Sequence, residues 1–190
     1  MYHYVKDFSK TEFKNLKGLS IEEFEYQIKF LKKNFDILGP DDVKEILIKK
    51  KEIKDKYCWL TFDDGYIDHY ENVIPILKKN NLKGSFFPPV ISTKQNKILD
   101  VNKIQLILQT QASPKVILKE ITKYYLDICK DKNEENLKRI IKMININHRF
   151  DSSEVIIIKR LLQKILPKKI RVKICDILFK KYIGSEERYA

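Results

Sequence analysis

The segment Tyr57–Gly65 constrains this chain more than any other feature. An apolar run, Tyr57-Cys-Trp-Leu60, leads directly into Thr61-Phe-Asp-Asp-Gly65. This pattern predicts a strand that carries two adjacent carboxylates, Asp63 and Asp64, at its C-terminal end, where Gly65 allows a sharp turn. In parallel α/β folds, that end of a strand is where chemistry takes place. Adjacent carboxylates repel each other unless a cation or proton lies between them. The segment therefore indicates either an acid–base or metal site, or a plain Asp-Gly turn.

The residues that follow alternate between helical and extended patterns. An acidic turn after Gly65 leads into a predicted helix over 72–80, and Gly84 opens a second predicted strand that reaches position 90. Pro88 and Pro89 interrupt that strand at its end. We expect Phe86 and Phe87 to pack in the core. Strand, helix and strand in this order are typical of a parallel α/β unit.

The order and spacing of these residues resemble the polysaccharide deacetylase family, also called carbohydrate esterase family four. The shared features are Thr61-Phe-Asp-Asp-Gly65 followed by Tyr66, a helix with Pro75-Ile-Leu77, and the strand Gly84-Ser-Phe-Phe87. Met1–Val5 resembles the family's opening Tyr-His strand more weakly. The resemblance implies an α/β fold, namely the N-terminal part of a distorted (β/α) barrel.

The resemblance also implies a reaction and a set of site residues. The family removes acetyl groups from sugars by metal-assisted hydrolysis, so we expect deacetylation of an amino-sugar polysaccharide. By the same resemblance, Asp63 is the general base and Asp64 is a metal ligand. The expected cofactor is a divalent metal, with zinc as the leading candidate. His3, Tyr66, Phe87 and Pro88 are expected to line the substrate pocket.

The chain departs from the family in its histidines. The second family motif, His-Ser/Thr-x-x-His, completes the metal site, whereas this chain has only His3, His69 and His148, and no two of them are four apart. The metal is therefore expected only if residues outside this chain complete the site. Two explanations stay open. The chain is the N-terminal part of a longer enzyme or is completed by a companion chain, or it is a catalytically inactive remnant that binds a glycan or a partner.

Apolar spacing divides the chain into two regions. Residues 1–97 are predicted to be the deacetylase-like α/β region, with a capping box at Ser20–Glu23 that opens its first helix. Residues 98–190 are predicted to be an all-helical insertion in which Pro114 and Pro167 open two of the helices. The chain is expected to end before the barrel resumes.

The balance of Lys and Arg and the length of the apolar runs indicate which partners and locations to expect. The net charge is +12, but only 5 of the 38 basic residues are Arg, and nucleic-acid sites favour Arg forks. We therefore expect no nucleic acid as partner. The resemblance to the deacetylase family implies an acetylated glycan or lipid-linked oligosaccharide as partner. Apolar runs are too short for a membrane span, and no signal segment is apparent. The expected location is cytoplasmic or peripheral to a membrane.

Two polar residues just after the motif are expected to play minor roles. His69 follows Asp64 by five residues and is predicted to be a surface or capping histidine near a helix start. Asp68 is predicted to lie in the first turn of that helix, where a negative charge favours the helix dipole.

Overall fold

The computed structural model describes residues 1–50, 52–53, 55–129, 134–144 and 151–189. His148 lies outside these ranges. The chain divides into two compact units, Met1–Gln95 and Asn96–Ala190. The interpretation of these units as a deacetylase-like region and an insertion stays a prediction.

Local signals explain where the first two helices begin. Helix α1 spans Ile21–Asn34, and its capping box is formed as predicted, since the Ser20 side chain accepts from the Glu23 backbone while the Glu23 carboxylate accepts from the Ser20 N–H. Helix α2 spans Pro40–Lys49 and begins with proline at a position whose missing N–H costs nothing.

In the described part of the chain, four short strands form two parallel pairs. Strand β1 (Asp36–Leu38) pairs with β2 (Tyr57–Trp59), and β3 (Thr61–Asp63) pairs with β4 (Ser85–Phe87). The opening strand predicted at the N-terminus appears only as two isolated bridges, Tyr2 with Phe62 and Val5 with Leu19. The mixed α/β class is confirmed. Among the described residues the sheets are small and open, so closure into a barrel is not confirmed.

The connection between β3 and β4 brings the ends of both strands together. A π-helical turn, His69–Val73, runs into helix α3 (Ile74–Lys79), and α4 (Val90–Gln95) follows β4. An apolar core lies beneath these elements in the first unit, and its buried members are Val5, Phe24, Ile28, Leu60, Phe62, Val73, Ile76 and Leu77.

The second unit is helical throughout its described residues. Its helices are α5 (Asp100–Ile107), α6 (Pro114–Ile128), α7 (Glu134–Lys142), α8 (Ser153–Arg160) and α9 (Lys168–Tyr182). A π-helical turn, Leu161–Ile165, extends α8. Helix α5 packs on α9, and α6 packs on α8. Prolines stand at the openings of α6 and α9, as the sequence predicts.

The buried Lys103 connects α5 to α9 and to the C-terminal segment of the second unit through two ion pairs. The Lys103 ammonium is almost fully buried and lies 2.7 Å from Asp176 and 2.9 Å from Glu186. Glu186 also accepts a hydrogen bond from the Ile98 N–H. Within the described residues, no helix has the length and apolar character needed to cross a membrane.

Candidate active site at the end of strand β3

Strand β3 positions the carboxylate pair because its middle residue is anchored in the core. The Phe62 ring is fully buried between two nearly parallel rings, those of Tyr2 at 5.3 Å and Phe86 at 4.8 Å. Successive side chains of a strand point to opposite faces. Asp63 therefore projects from the face opposite Phe62, at the C-terminal end of the strand, as predicted.

The turn after Asp63 has an unusual backbone. Both Asp64 and Gly65 adopt left-handed conformations, with φ of 72° and 66°. Gly65 also lies so close to the end of β4 that an added Cβ would stand 2.7 Å from the Pro88 Cβ. Glycine is thus required here for two separate reasons, conformation and space. The contact with Pro88 holds the end of β4 against the turn that carries Asp64.

Tyr66 binds the second carboxylate directly. Its phenol donates a hydrogen bond of 2.6 Å to Asp64 Oδ2, and its ring stacks on Tyr4 at 4.0 Å. Burial, together with the neighbouring Tyr4 and the hydrogen bond to Asp64, raises the pKa of Tyr66 far above its usual range. Burial raises the pKa of Tyr4 to about 12. Both phenols therefore stay protonated at neutral pH, and Tyr66 remains a donor to the carboxylate.

The N-terminal segment brings His3 beside the motif. The Tyr2 N–H donates to the Thr61 carbonyl, and the Asp63 N–H donates to the Tyr2 carbonyl. His3 follows directly and is exposed to solvent. The backbone pairing thus places His3 next to Asp63 along the strand end. Its assignment to a substrate pocket stays a prediction.

His69 is buried, so its prediction as a surface or capping histidine is wrong. Its Nε2 lies 2.7 Å from the His3 carbonyl oxygen. Because a carbonyl oxygen only accepts, Nε2 carries the proton, and the buried Nδ1 has no hydrogen-bond partner among the described residues. Burial lowers the pKa of His69. The neutral imidazole therefore holds the N-terminal segment in place through its hydrogen bond to the His3 carbonyl.

Asp68 lies at the start of the helical segment that leads into His69–Val73, as predicted, and it is also buried. Its Oδ1 forms an ion pair of 3.1 Å with Lys6, and within the described part of the chain its buried Oδ2 has no hydrogen-bond partner. The Asn72 amide donates to the Val5 carbonyl. Asp68, His69 and Asn72 thus all bind the N-terminal segment of residues 3–6. Their partners are some 60 residues away, and no local sequence signal could have identified them.

Phe87 and Pro88 lie beside the carboxylates on the other strand. Phe87 is the register partner of Asp63, and its side chain is 50% exposed, so the prediction of core packing is wrong for Phe87, whereas Phe86 packs on the core. The Phe87 ring meets Trp59 edge to face at 6.2 Å, and the Trp59 indole N–H donates to the Ser85 hydroxyl. Sequence analysis overlooked Trp59, although strand alternation from Asp63 back through Thr61 puts it on the same face.

The described residues do not complete a metal site. Catalytic zinc is generally held by three protein ligands and a water, and no group of three or more His, Cys, Asp or Glu side chains is placed to hold a metal among the residues the structure describes. Asp64 has one oxygen bound to Tyr66, and His69 has one nitrogen bound to a backbone carbonyl. The predicted zinc is therefore not confirmed, and any divalent metal would need ligands in addition to Asp64.

Comparisons with known proteins agree with the motif. Residues 50–122 match the family model described as polysaccharide deacetylase. The candidate polysaccharide deacetylase YxkH of Bacillus subtilis (strain 168) is 37% identical over 67 residues, which make up 35% of this chain and 24% of YxkH. The matched segment thus spans about a quarter of the length of that relative. A solved structure of the Streptococcus pyogenes deacetylase PplD in complex with acetate aligns with 84% of this chain and 77% of PplD, at 22% identity and a TM-score of 0.42.

The family match and the motif coincide along the sequence. The matched residues 50–122 include β2, β3, α3 and β4, and with them both carboxylates. The predicted resemblance to the polysaccharide deacetylase family is confirmed over residues 50–122, which match the model of that family.

Proposed function

We propose that this chain forms part of an enzyme that hydrolyses N-acetyl groups of an amino-sugar polysaccharide. The observation that carries the proposal is the position of Asp63 and Asp64. Asp63 ends the parallel strand β3 and Asp64 begins the turn that follows it, inside the segment that matches the deacetylase family. The proposed substrate is an acetylated glycan or a lipid-linked oligosaccharide.

Asp63 is the proposed general base. In hydrolysis, a water oxygen attacks the acetyl carbonyl carbon, the C–N bond breaks, the sugar nitrogen takes up a proton and departs as the amine, and acetate is released. The attacking water must lose a proton, which an ionised carboxylate at the strand end can accept. Asp63 projects from the face opposite the buried Phe62, so its carboxylate is available to a bound substrate.

Asp64 is the proposed contribution of this chain to a divalent-metal site, with zinc as the proposed ion. The described residues do not fit a complete site. We propose that the remaining ligands come from residues of a longer product or from a companion chain. Asp64 would be one ligand of such a metal, which would supply a Lewis acid for the reaction.

The surroundings of the carboxylates provide candidate contacts for the sugar. Phe87 is half exposed next to Asp63, Pro88 packs on the Gly65 turn, and His3 lies exposed at the neighbouring segment. We propose His3, Phe87 and Pro88 as walls of the substrate pocket. An apolar wall with a few polar groups is the usual composition of such pockets.

A second candidate function is binding of a glycan or partner without catalysis. The observation that favours it is the exposed aromatic pair, Trp59 at 40% and Phe87 at 50% exposure. These ring faces can contact a ligand whether or not hydrolysis follows, because aromatic side chains bury a large area on contact.

Acetate release separates the two candidates. The protein would be purified from the cells that make it, its intact mass compared with the 22.7 kDa of these residues, and its activity measured on N-acetylglucosamine oligomers. We expect acetate release that Asp63→Asn abolishes. Asp41→Asn is the matched control, because its side chain is 85% exposed and forms a surface ion pair with Lys83. Oligomer binding without acetate release would establish the second candidate, and release that survives Asp63→Asn would refute the proposed base.

A further inference from the structure

The contact between Tyr66 and Asp64 differs from an ordinary surface hydrogen bond. The phenol oxygen lies 2.6 Å from Asp64 Oδ2, a length typical of an O–H donor bound to an ionised carboxylate. Such charge-assisted bonds are roughly twice as strong as neutral ones. Both side chains are partly buried, which strengthens the bond further because less water competes for the oxygen.

The Tyr66 ring is itself held in place. It stacks on Tyr4 with an interplanar angle of 23°, and its edge contacts the buried His69 ring at 5.6 Å. Tyr4 is buried, and its carbonyl accepts from the Leu19 N–H. The phenol therefore reaches Asp64 from a fixed position, so little side-chain entropy is lost when the bond forms.

Asp64 needs such a partner because its own backbone does not fix its carboxylate. The residue is in the left-handed region, where Asn, Asp and His are enriched among the non-glycine residues. Its carboxylate stands at the tip of an exposed turn, next to Gly65. With Oδ2 bound by Tyr66, the carboxylate has one orientation, and Oδ1 is the oxygen left for a further interaction.

We infer that Tyr66 is a positioning residue that orients the Asp64 carboxylate, with Tyr4 as its support. This differs from the pocket wall that the sequence predicts for Tyr66. The inference rests on the proposed function, because the orientation of Asp64 matters only if that carboxylate takes part in deacetylation.

A double-mutant cycle tests whether Tyr66 acts through the Asp64 carboxylate. Tyr66→Phe keeps the ring and its stacking but removes the donor, and Asp64→Asn removes the charge it binds. If Tyr66 acts through Asp64, Tyr66→Phe lowers kcat for acetate release about tenfold with KM nearly unchanged. In the Asp64→Asn background, the same change has less than about a twofold further effect. Tyr70→Phe is the control, because this phenol is four residues away and the residue is 72% exposed.

A second double-mutant cycle compares the urea unfolding midpoints of the same variants, so it can be measured even if the protein releases no acetate. Here Tyr66→Phe is expected to lower the urea midpoint in the parent chain and to leave it nearly unchanged in Asp64→Asn. Equal effects of Tyr66→Phe in both backgrounds, in either cycle, would overturn the positioning role. A loss of substrate affinity with kcat intact would overturn it in favour of a pocket wall. A parent protein that shows the unfolding link but releases no acetate would instead refute the proposed function.

Discussion

Replacing Gly65 with alanine is the most informative single test of the site geometry. The substitution has two costs that can be estimated separately. A non-glycine residue at φ 66° costs roughly 1–2 kcal/mol in conformational free energy. The new Cβ would stand 2.7 Å from the Pro88 Cβ and 3.1 Å from its Cα, and overpacking of this kind typically costs about 1–3 kcal/mol. Because Pro88 is exposed and can shift, we expect a total near the lower end, about 3 kcal/mol of unfolding free energy.

The assay is urea denaturation followed by the fluorescence of Trp59, which is the only tryptophan of the chain and lies on β2 beside the site. Gly184→Ala is the control, since Gly184 also has a positive φ, 113°, but an added Cβ there meets nothing within 4 Å. A double variant, Gly65→Ala with Pro88→Gly, should recover the part of the loss caused by overlap. If Gly65→Ala costs no more than the roughly 1–2 kcal/mol of its backbone conformation alone, and Pro88→Gly recovers none of the loss, the close approach of Pro88 is refuted.

Two further predictions concern buried ionisable groups. Burial lowers the pKa of His69 in the folded state, so the unfolded state binds more protons below about pH 6.5 and stability is lost as the pH falls. Urea midpoints between pH 7.5 and 5 should show this loss, and His69→Gln should flatten the pH dependence; an unchanged slope would contradict the neutral, buried imidazole. In the second unit, Lys103→Ala should cost about 3 kcal/mol of unfolding free energy, because it removes a buried cation that pairs with two carboxylates. Lys115→Ala, at an exposed pair of 4.0 Å, should cost less than about 0.5 kcal/mol, and equal losses in these two variants would contradict the importance of burial.

Local sequence signals were sufficient wherever the structure depends on neighbouring residues. The capping box at Ser20 and the prolines at 40, 114 and 167 mark helix starts that the structure contains. The apolar run before Asp63 likewise predicts a strand that ends at the carboxylates. Each of these features is decided within a few residues, so one sequence suffices to predict it.

Predictions failed where a distant partner decides the outcome. His69 can be buried because the His3 carbonyl, 66 residues earlier, accepts a hydrogen bond from its Nε2–H. The predicted opening strand is reduced to two bridges because Tyr2 and Val5 pair with different segments, at Phe62 and Leu19. Neither partner can be inferred from the residues that surround His69 or Tyr2.

The prediction that Phe87 packs in the core failed for a different reason. The alternation of side chains along the strand bears on the face that Phe87 occupies, and the prediction did not use it. Phe62 and Phe86 are register partners, and so are Asp63 and Phe87. Residues paired across parallel strands share a face, so a buried Phe62 beside an accessible Asp63 already implies that Phe87 stands with the carboxylate. Hydrophobicity alone suggested a core role, whereas strand alternation gives the correct face.

Because side chains alternate along β3 and β4, the residues that pack into the core and the candidate site residues lie on opposite faces of this strand pair. One face of the β3–β4 pair carries Phe62 and Phe86, which pack into the core, and the other carries Asp63 and Phe87. Strands of parallel sheets are usually apolar on both faces because both are covered. Here the second face carries a carboxylate and a half-exposed ring, an arrangement that costs stability unless a ligand or further chain covers it. That cost is what a substrate-binding face would be expected to show, and it is the physical reason to look for function on the Asp63 side of the strands.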